Sequence, residues 1–108
     1  MLFIAENGIG AEDVLEQDLA IHEPHRIAYL REHVEQMREA VIDGVELIGY
    51  TMWGIIDIVS CGTIEMSKRY GVIYVELDDQ GNGSLRRYKK DSFSWYHKCI
   101  ASHGEDLS

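Results

Sequence analysis

The sequence predicts an α/β fold on three observations: two short, nearly continuous apolar runs, a long amphipathic stretch between them, and a final stretch with the same helical period. The first run, Leu2 to Ala5, is apolar at every position and stops at Glu6-Asn7-Gly8. That is the pattern of a strand covered on both faces, as in a parallel sheet. Residues 8–22 read as a loop rich in Gly, Asp and Glu, and long loops inside compact domains are often functional. From Pro24 the spacing turns helical, with Ile27, Leu30, Val34, Met37 and Val41 recurring at three and four along one face. Pro24 suits a first helical turn and Gly44 the C′ position, so the predicted helix covers residues 24–43. Glu32, Glu35 and Glu39 lie off that stripe and read as a solvated face.

A second apolar run, Val45 to Trp53, ends at Gly54, and strand–helix–strand at this spacing is a βαβ unit with parallel pairing. Residues 57–70 read as irregular. A hairpin follows: Val72-Ile73-Tyr74-Val75 is β-branched and aromatic, residues 79–83 supply the turn, and Leu85-Arg86-Arg87-Tyr88 returns. The last element is helical, with Phe93, Tyr96 and Ile100 at helical spacing, Asp91 or Ser92 as the start cap and Gly104 as the stop. Tyr74 and Tyr96 read as core residues. Two successive βα units with a hairpin amount to a quarter of a (β/α)8 barrel, whose complete form needs about 250 residues. The expectation is a piece, incomplete as a domain.

Composition narrows the partners. The chain has 108 residues, enough for one domain at most, and 45% of them are hydrophobic, so a core is expected. Ten Lys and Arg against 19 Asp and Glu give a net charge of −9, which disfavours nucleic acid and anionic lipid, since both are bound through clustered cations. Cys61 and Cys99 make neither a disulfide framework nor a C-x-x-C site, and a reducing cytoplasm fits them best. His22 and His25 stand three apart, but no Cys or carboxylate set completes a tetrahedral site, so no metal is expected. The apolar start is five residues long without a basic flank, unlike a signal peptide, and no stretch approaches a membrane span.

Several segments, in order and with matching gaps, resemble family 1 glycoside hydrolases. Ala5-Glu6-Asn7-Gly8-Ile9-Gly10 resembles the nucleophile signature of that family, in which a Glu-Asn-Gly triplet closes barrel strand seven; Ala5 stands where Thr, Ser or Val usually precedes it. Gly49-Tyr50-Thr51-Met52-Trp53-Gly54-Ile55-Ile56-Asp57 is similar to strand eight and the substrate loop after it. Residues 68–75 and 89–96 resemble the following hairpin and final helix. The resemblance implies that residues 1–108 are the C-terminal quarter of such a barrel, the last two βα units plus a hairpin. The strand-four Asn-Glu-Pro motif, which carries the acid/base in this family, is not among these residues.

Within the family, the chain is similar to the 6-phospho-β-glucosidases. The discriminating position is Ser60, where hydrolases of unphosphorylated sugars usually carry a glutamate. A glutamate repels a 6-phosphate, whereas a serine donates a hydrogen bond to it. The resemblance implies that Ser60, Lys68 and Tyr70 hold the phosphate, that Glu6 is the nucleophile and that Trp53 bounds the sugar ring. Cys61 stands where 6-phospho-β-galactosidases tend to have a tryptophan, which favours gluco over galacto substrates. Asp57 resembles a structural aspartate of the loop, and Arg69 is left outside the site. The implied activity is retaining hydrolysis of a phosphorylated β-glucoside to glucose 6-phosphate, without metal or organic cofactor. The rival expectation is an inactive remnant that binds a sugar phosphate or docks on the rest of a barrel. Its torn barrel edges then invite self-association.

Overall fold

The computed structural model describes all 108 residues. Strand β1 (Leu2–Ile4) pairs in parallel with β2 (Leu47–Tyr50), and the crossover between them carries helix α1 (Pro24–Ile42). An antiparallel pair follows, β3 (Ile73–Val75) with β4 (Arg87–Lys89), Tyr74 standing opposite Tyr88. Helix α2 (Asp91–Ala101) packs on α1. The order matches the expectation, with strands shorter than the apolar runs. Beyond Ile4 the first pair continues as single hydrogen bonds: Thr51 N–H donates to Ile4 O (2.9 Å) and Trp53 N–H to Asn7 O (2.8 Å).

Helix α1 starts at Pro24, whose missing N–H costs nothing in a first turn, and ends before Gly44, at φ 97°, a left-handed value that glycine tolerates. The expected caps of α2 are replaced. Lys90 is the N-cap with an extended backbone, and neither Asp91 nor Ser92 caps the helix through its side chain. The buried Glu23, at the threshold of α1, instead accepts the Ser92 N–H at 2.7 Å. A carboxylate there meets the positive end of the helix dipole. Burial still raises the Glu23 pKa above its ordinary value. On the surface nearby, the Asp91 carboxylate accepts from His22 Nδ1 at 2.7 Å and raises the His22 pKa.

Three expectations about burial are corrected. Strands β1 and β2 are not covered on both faces, since Leu2, Phe3 and Ile48 are each more than half exposed. Leu2 and Phe3 line an open apolar groove that they share with His33, Gln36, Met37 and Ala40 of α1. Of the expected α1 stripe only Leu30 is fully buried, and Val41 is half exposed, because the cluster of Leu30, Trp95 and Cys99 draws in only Ile27 and Val34 from the rest of that stripe. In α2 the buried face is Ser92, Trp95 and Cys99 rather than Phe93, Tyr96 and Ile100. Ile100 is 59% exposed. Tyr96 is half-buried against the core as expected, and Tyr74 lies half-buried beneath the Arg69 guanidinium, whose carbon is 3.8 Å from the ring centroid.

The interior is as ionic as it is apolar. Seven apolar side chains are buried, but so are Glu23, Arg26, Asp57, Ser60, Arg69, Lys90 and Ser92. Buried charges persist only when paired. Lys90 Nζ donates to Asp13 Oδ2 (2.5 Å), Asp57 Oδ1 (2.7 Å) and Gly71 O (2.7 Å). Arg69 donates to Asp57 Oδ2 (2.9 Å), Val75 O (2.7 Å) and Leu77 O (3.0 Å). Arg26 donates to Asp13 Oδ2 (2.9 Å), Ile9 O (2.7 Å), Tyr70 O (3.1 Å) and Arg69 O (3.1 Å). Its Nε lies 3.1 Å from Glu23 Oε2, a charge contact outside hydrogen-bonding geometry. Three cations thus face three carboxylates, and together they tie the loop after β1 to the segment between β2 and β3. Gly71 sits against this knot, where a Cβ would stand 2.6 Å from the Asp57 nitrogen.

Candidate active site

Two recesses lie at the end of the parallel pair. The first, of about 290 Å³, is lined by Glu6, Asn7, Gly8 and Trp53. Glu6 is exposed two residues beyond the end of β1, so a short strand positions its backbone while its side chain meets solvent. Asn7 is held on both sides. Its carbonyl accepts the Trp53 N–H, and its side-chain oxygen accepts the Tyr50 hydroxyl at 3.0 Å. Burial raises the Tyr50 pKa, so that hydroxyl stays a donor. Trp53 is half-buried and stands over Gly8, whose Cβ position is 3.5 Å from the Trp53 Cβ. A carboxylate beside an indole wall is a combination that can address a sugar ring. Glu6 is the sole carboxylate of this recess, and retaining hydrolysis needs a second about 5 to 5.5 Å away.

Asp57 cannot be that partner here. Its two oxygens accept from Lys90, Arg69 and the Gly71 N–H (3.0 Å), deep in the ion cluster, which agrees with its reading as a structural aspartate. Arg69 likewise spends its guanidinium on Asp57 and backbone carbonyls, in keeping with its exclusion from the site.

The second recess, of about 220 Å³, lies beside Lys68 and is lined also by Gly10, Ala11, Glu12, Glu65 and Ser67. The Tyr70 hydroxyl lies 3.3 Å from Ser60 Oγ, and Lys68 Nζ is 6.0 Å from the Tyr70 ring centroid. Ser60, Lys68 and Tyr70 therefore come together, although they stand 10, 18 and 20 places beyond the second strand's end. Their arrangement is tighter than the sequence suggests. Ser60 is fully buried, beneath a turn in which its N–H donates to Glu65 O (2.9 Å) and its carbonyl accepts the Ile64 N–H (2.8 Å). Ile64 holds a φ of 58°, a strained value for a β-branched residue, and such strain gathers at functional turns.

Gly8 belongs to the first recess and Gly10 to the second, and two residues span at most about 7 Å. The model of Glycosyl hydrolase family 1 matches residues 1–105. The chain belongs to glycosyl hydrolase family 1. Within family 1 it is 62% identical over 107 residues to the aryl-phospho-beta-D-glucosidase BglA of Bacillus subtilis, covering 98% of this chain and 22% of that protein. It is 57% identical to the 6-phospho-beta-glucosidase AscB of Escherichia coli, with 98% and 22% covered. The fold agrees with a solved family 1 β-glucosidase of Thermotoga maritima, in complex with isofagomine lactam. That match has a TM-score of 0.84 at 35% identity, over 96% of this chain and 22% of the other. The chain thus spans about a fifth of the length of the family 1 relatives it matches.

The family 1 motifs account for Glu6, Trp53, Ser60, Lys68 and Tyr70 as candidates, but Asp13, Glu23, Arg26 and Lys90 were not legible as a group. One signal was present. Arg26 stands four residues before Leu30, on the apolar stripe, where a charge must be buried or must bend the pattern.

Proposed function

We propose that this chain is the C-terminal part of a (β/α)8 barrel, residues 1–108, in a cytoplasmic, retaining 6-phospho-β-glucosidase. One observation carries the reading. A recess that pairs a free carboxylate with a tryptophan includes Gly8, and two residues on Gly10 lines a second recess with Lys68, beside which the Tyr70 hydroxyl meets that of Ser60. The names of the relatives point the same way. In this reading the sugar lies against Trp53 with its 6-phosphate at Lys68, where one cation and two hydroxyls suit a dianion rich in acceptor lone pairs. Glu6 attacks the anomeric carbon as the glycosidic bond breaks, and the leaving oxygen takes a proton from an acid outside these 108 residues. Water then attacks the glycosyl–Glu6 ester, freeing glucose 6-phosphate and returning the carboxylate. A 6-phospho-β-galactoside is the second substrate to try. No residue here calls for a metal or organic cofactor.

The test is a hybrid in which this chain replaces the matching 107 residues of BglA. The hybrid hydrolyses p-nitrophenyl β-glucoside 6-phosphate in preference to the plain glucoside. Ser60→Glu lowers kcat/KM for the phosphorylated substrate at least about tenfold more than for the plain one, the worth of one charge-assisted bond exchanged for repulsion. Equal losses on both substrates would sink the phosphate assignment.

A second reading concerns the chain on its own, and the exposed Leu2, Phe3, Val41, Ile42 and Ile48 favour it. Alone, the chain hydrolyses nothing, because Glu6 has no acid partner, and it self-associates through the open edges of β1 and β2. Sedimentation across a concentration series reads the association. A monodisperse monomer, or hydrolysis that depends on Glu6, would overturn this second reading.

A further inference from the structure

Gly10 is the point where the loop after β1 passes beneath the proposed phosphate cradle. Its backbone is not left-handed, so conformation does not demand a glycine here. Space does. A Cβ on Gly10 would stand 2.8 Å from Lys68 Cε, 2.8 Å from Tyr70 Cζ and 2.9 Å from Lys68 Cγ, well inside van der Waals contact. The loop has no freedom to yield on its side. Just before Gly10, the Ile9 carbonyl accepts from the buried Arg26 at 2.7 Å. Just after it, Ala11 and Arg69 exchange both backbone hydrogen bonds, at 2.9 and 2.8 Å, as an isolated antiparallel bridge. Arg26 also holds the carbonyls of Arg69 and Tyr70, so one guanidinium fixes the distance between the loop and the segment that carries Lys68 and Tyr70. With both backbones pinned, the parts left to move are the Lys68 chain and the outer end of the Tyr70 ring.

We infer that Gly10 is a specificity-determining position: its bare Cα lets Lys68 and Tyr70 close toward Ser60, and a side chain there dislodges both from the phosphate. The inference rests on the phosphate reading above and extends it to a residue with no polar group of its own. Gly10 touches no reacting atom, so it acts through the two side chains above it. Glu12 and Glu65 also line this recess, and a displaced lysine would leave their charge facing the phosphate uncompensated.

Gly10→Ala in the BglA hybrid tests it. The expected result is a fall of at least about tenfold in the ratio of kcat/KM for p-nitrophenyl β-glucoside 6-phosphate over the plain glucoside. That fall should lie in KM for the phosphorylated substrate, with kcat little altered, because a ground-state phosphate contact has been lost. A ratio held within about threefold, or a parallel loss on both substrates, overturns the inference while leaving the phosphate reading intact. A variant that fails to fold also overturns it, since the methyl would then be meeting something stiffer than two side-chain ends. If the parent hybrid shows no preference for the phosphorylated substrate, the phosphate reading itself fails, and the two failures are thereby told apart.

Discussion

In the BglA hybrid, Glu6→Gln lowers kcat on p-nitrophenyl β-glucoside 6-phosphate by at least about 10³-fold, because the amide cannot form the glycosyl ester that splits the reaction into two steps. The geometry makes this a sharp expectation. Glu6 faces a recess shared only with Asn7, Gly8 and Trp53, so no neighbouring carboxylate of this chain is placed to take over. The substitution keeps size and shape, and Glu6 is exposed, so folding should be untouched. A second variant separates chemistry from positioning. Glu6→Ala leaves room for a small external anion such as formate to attack the anomeric carbon, and added formate should restore part of the rate. A loss below about tenfold in Glu6→Gln would remove Glu6 from the nucleophile role.

Lys90→Met carries the largest expected effect on stability. Lys90 Nζ is fully buried and bonds Asp13, Asp57 and the Gly71 carbonyl, so its removal leaves the buried carboxylates of Asp13, Glu23 and Asp57 with only Arg26 and Arg69 to balance them. Breaking such a pair costs about 3 to 5 kcal/mol, mostly as the penalty of the charge left behind. In the hybrid this appears as a melting temperature lower by several degrees and as reduced soluble yield. Adding Asp57→Asn to Lys90→Met removes the excess negative charge of the cluster, so the double variant should lose less than the sum of the singles, by about 1 kcal/mol or more. Strictly additive losses, or a single-variant loss below about 1 kcal/mol, would mean that the cluster is hydrated rather than buried.

Element order was legible because each element rests on local physics. Pro24 and Gly44 bracket α1 through properties of single residues, a missing N–H and a left-handed φ, and the structure has both where the sequence puts them. The two apolar runs became the parallel pair for the same reason. What failed was burial. Leu2, Phe3 and Ile48 read as doubly covered, since a run of apolar residues specifies that a strand prefers covering and says nothing of whether a covering layer is at hand. The buried face of α2 lies one position from the stripe that the spacing predicts. Phe93 and Ile100 are as apolar as Trp95 and Cys99, and the choice between two adjacent stripes was made by where α1 sits.

By itself the sequence determined the α/β order, the helix ends, family membership through the Glu6 and Trp53 segments, and the residue types gathered at 60, 68 and 70. These are set by local propensity and by motif. The tertiary structure alone decided three things: that Glu23 caps α2 from across the chain, that Asp13, Arg26, Asp57, Arg69 and Lys90 form one buried knot, and that Gly10 lies beneath Lys68 and Tyr70. Each joins residues far apart in the chain, from 12 between Asp57 and Arg69 to 77 between Asp13 and Lys90. A charge in sequence carries no label for its partner. Burial by the folded chain raises the cost of an unpaired charge until only the matched arrangement remains.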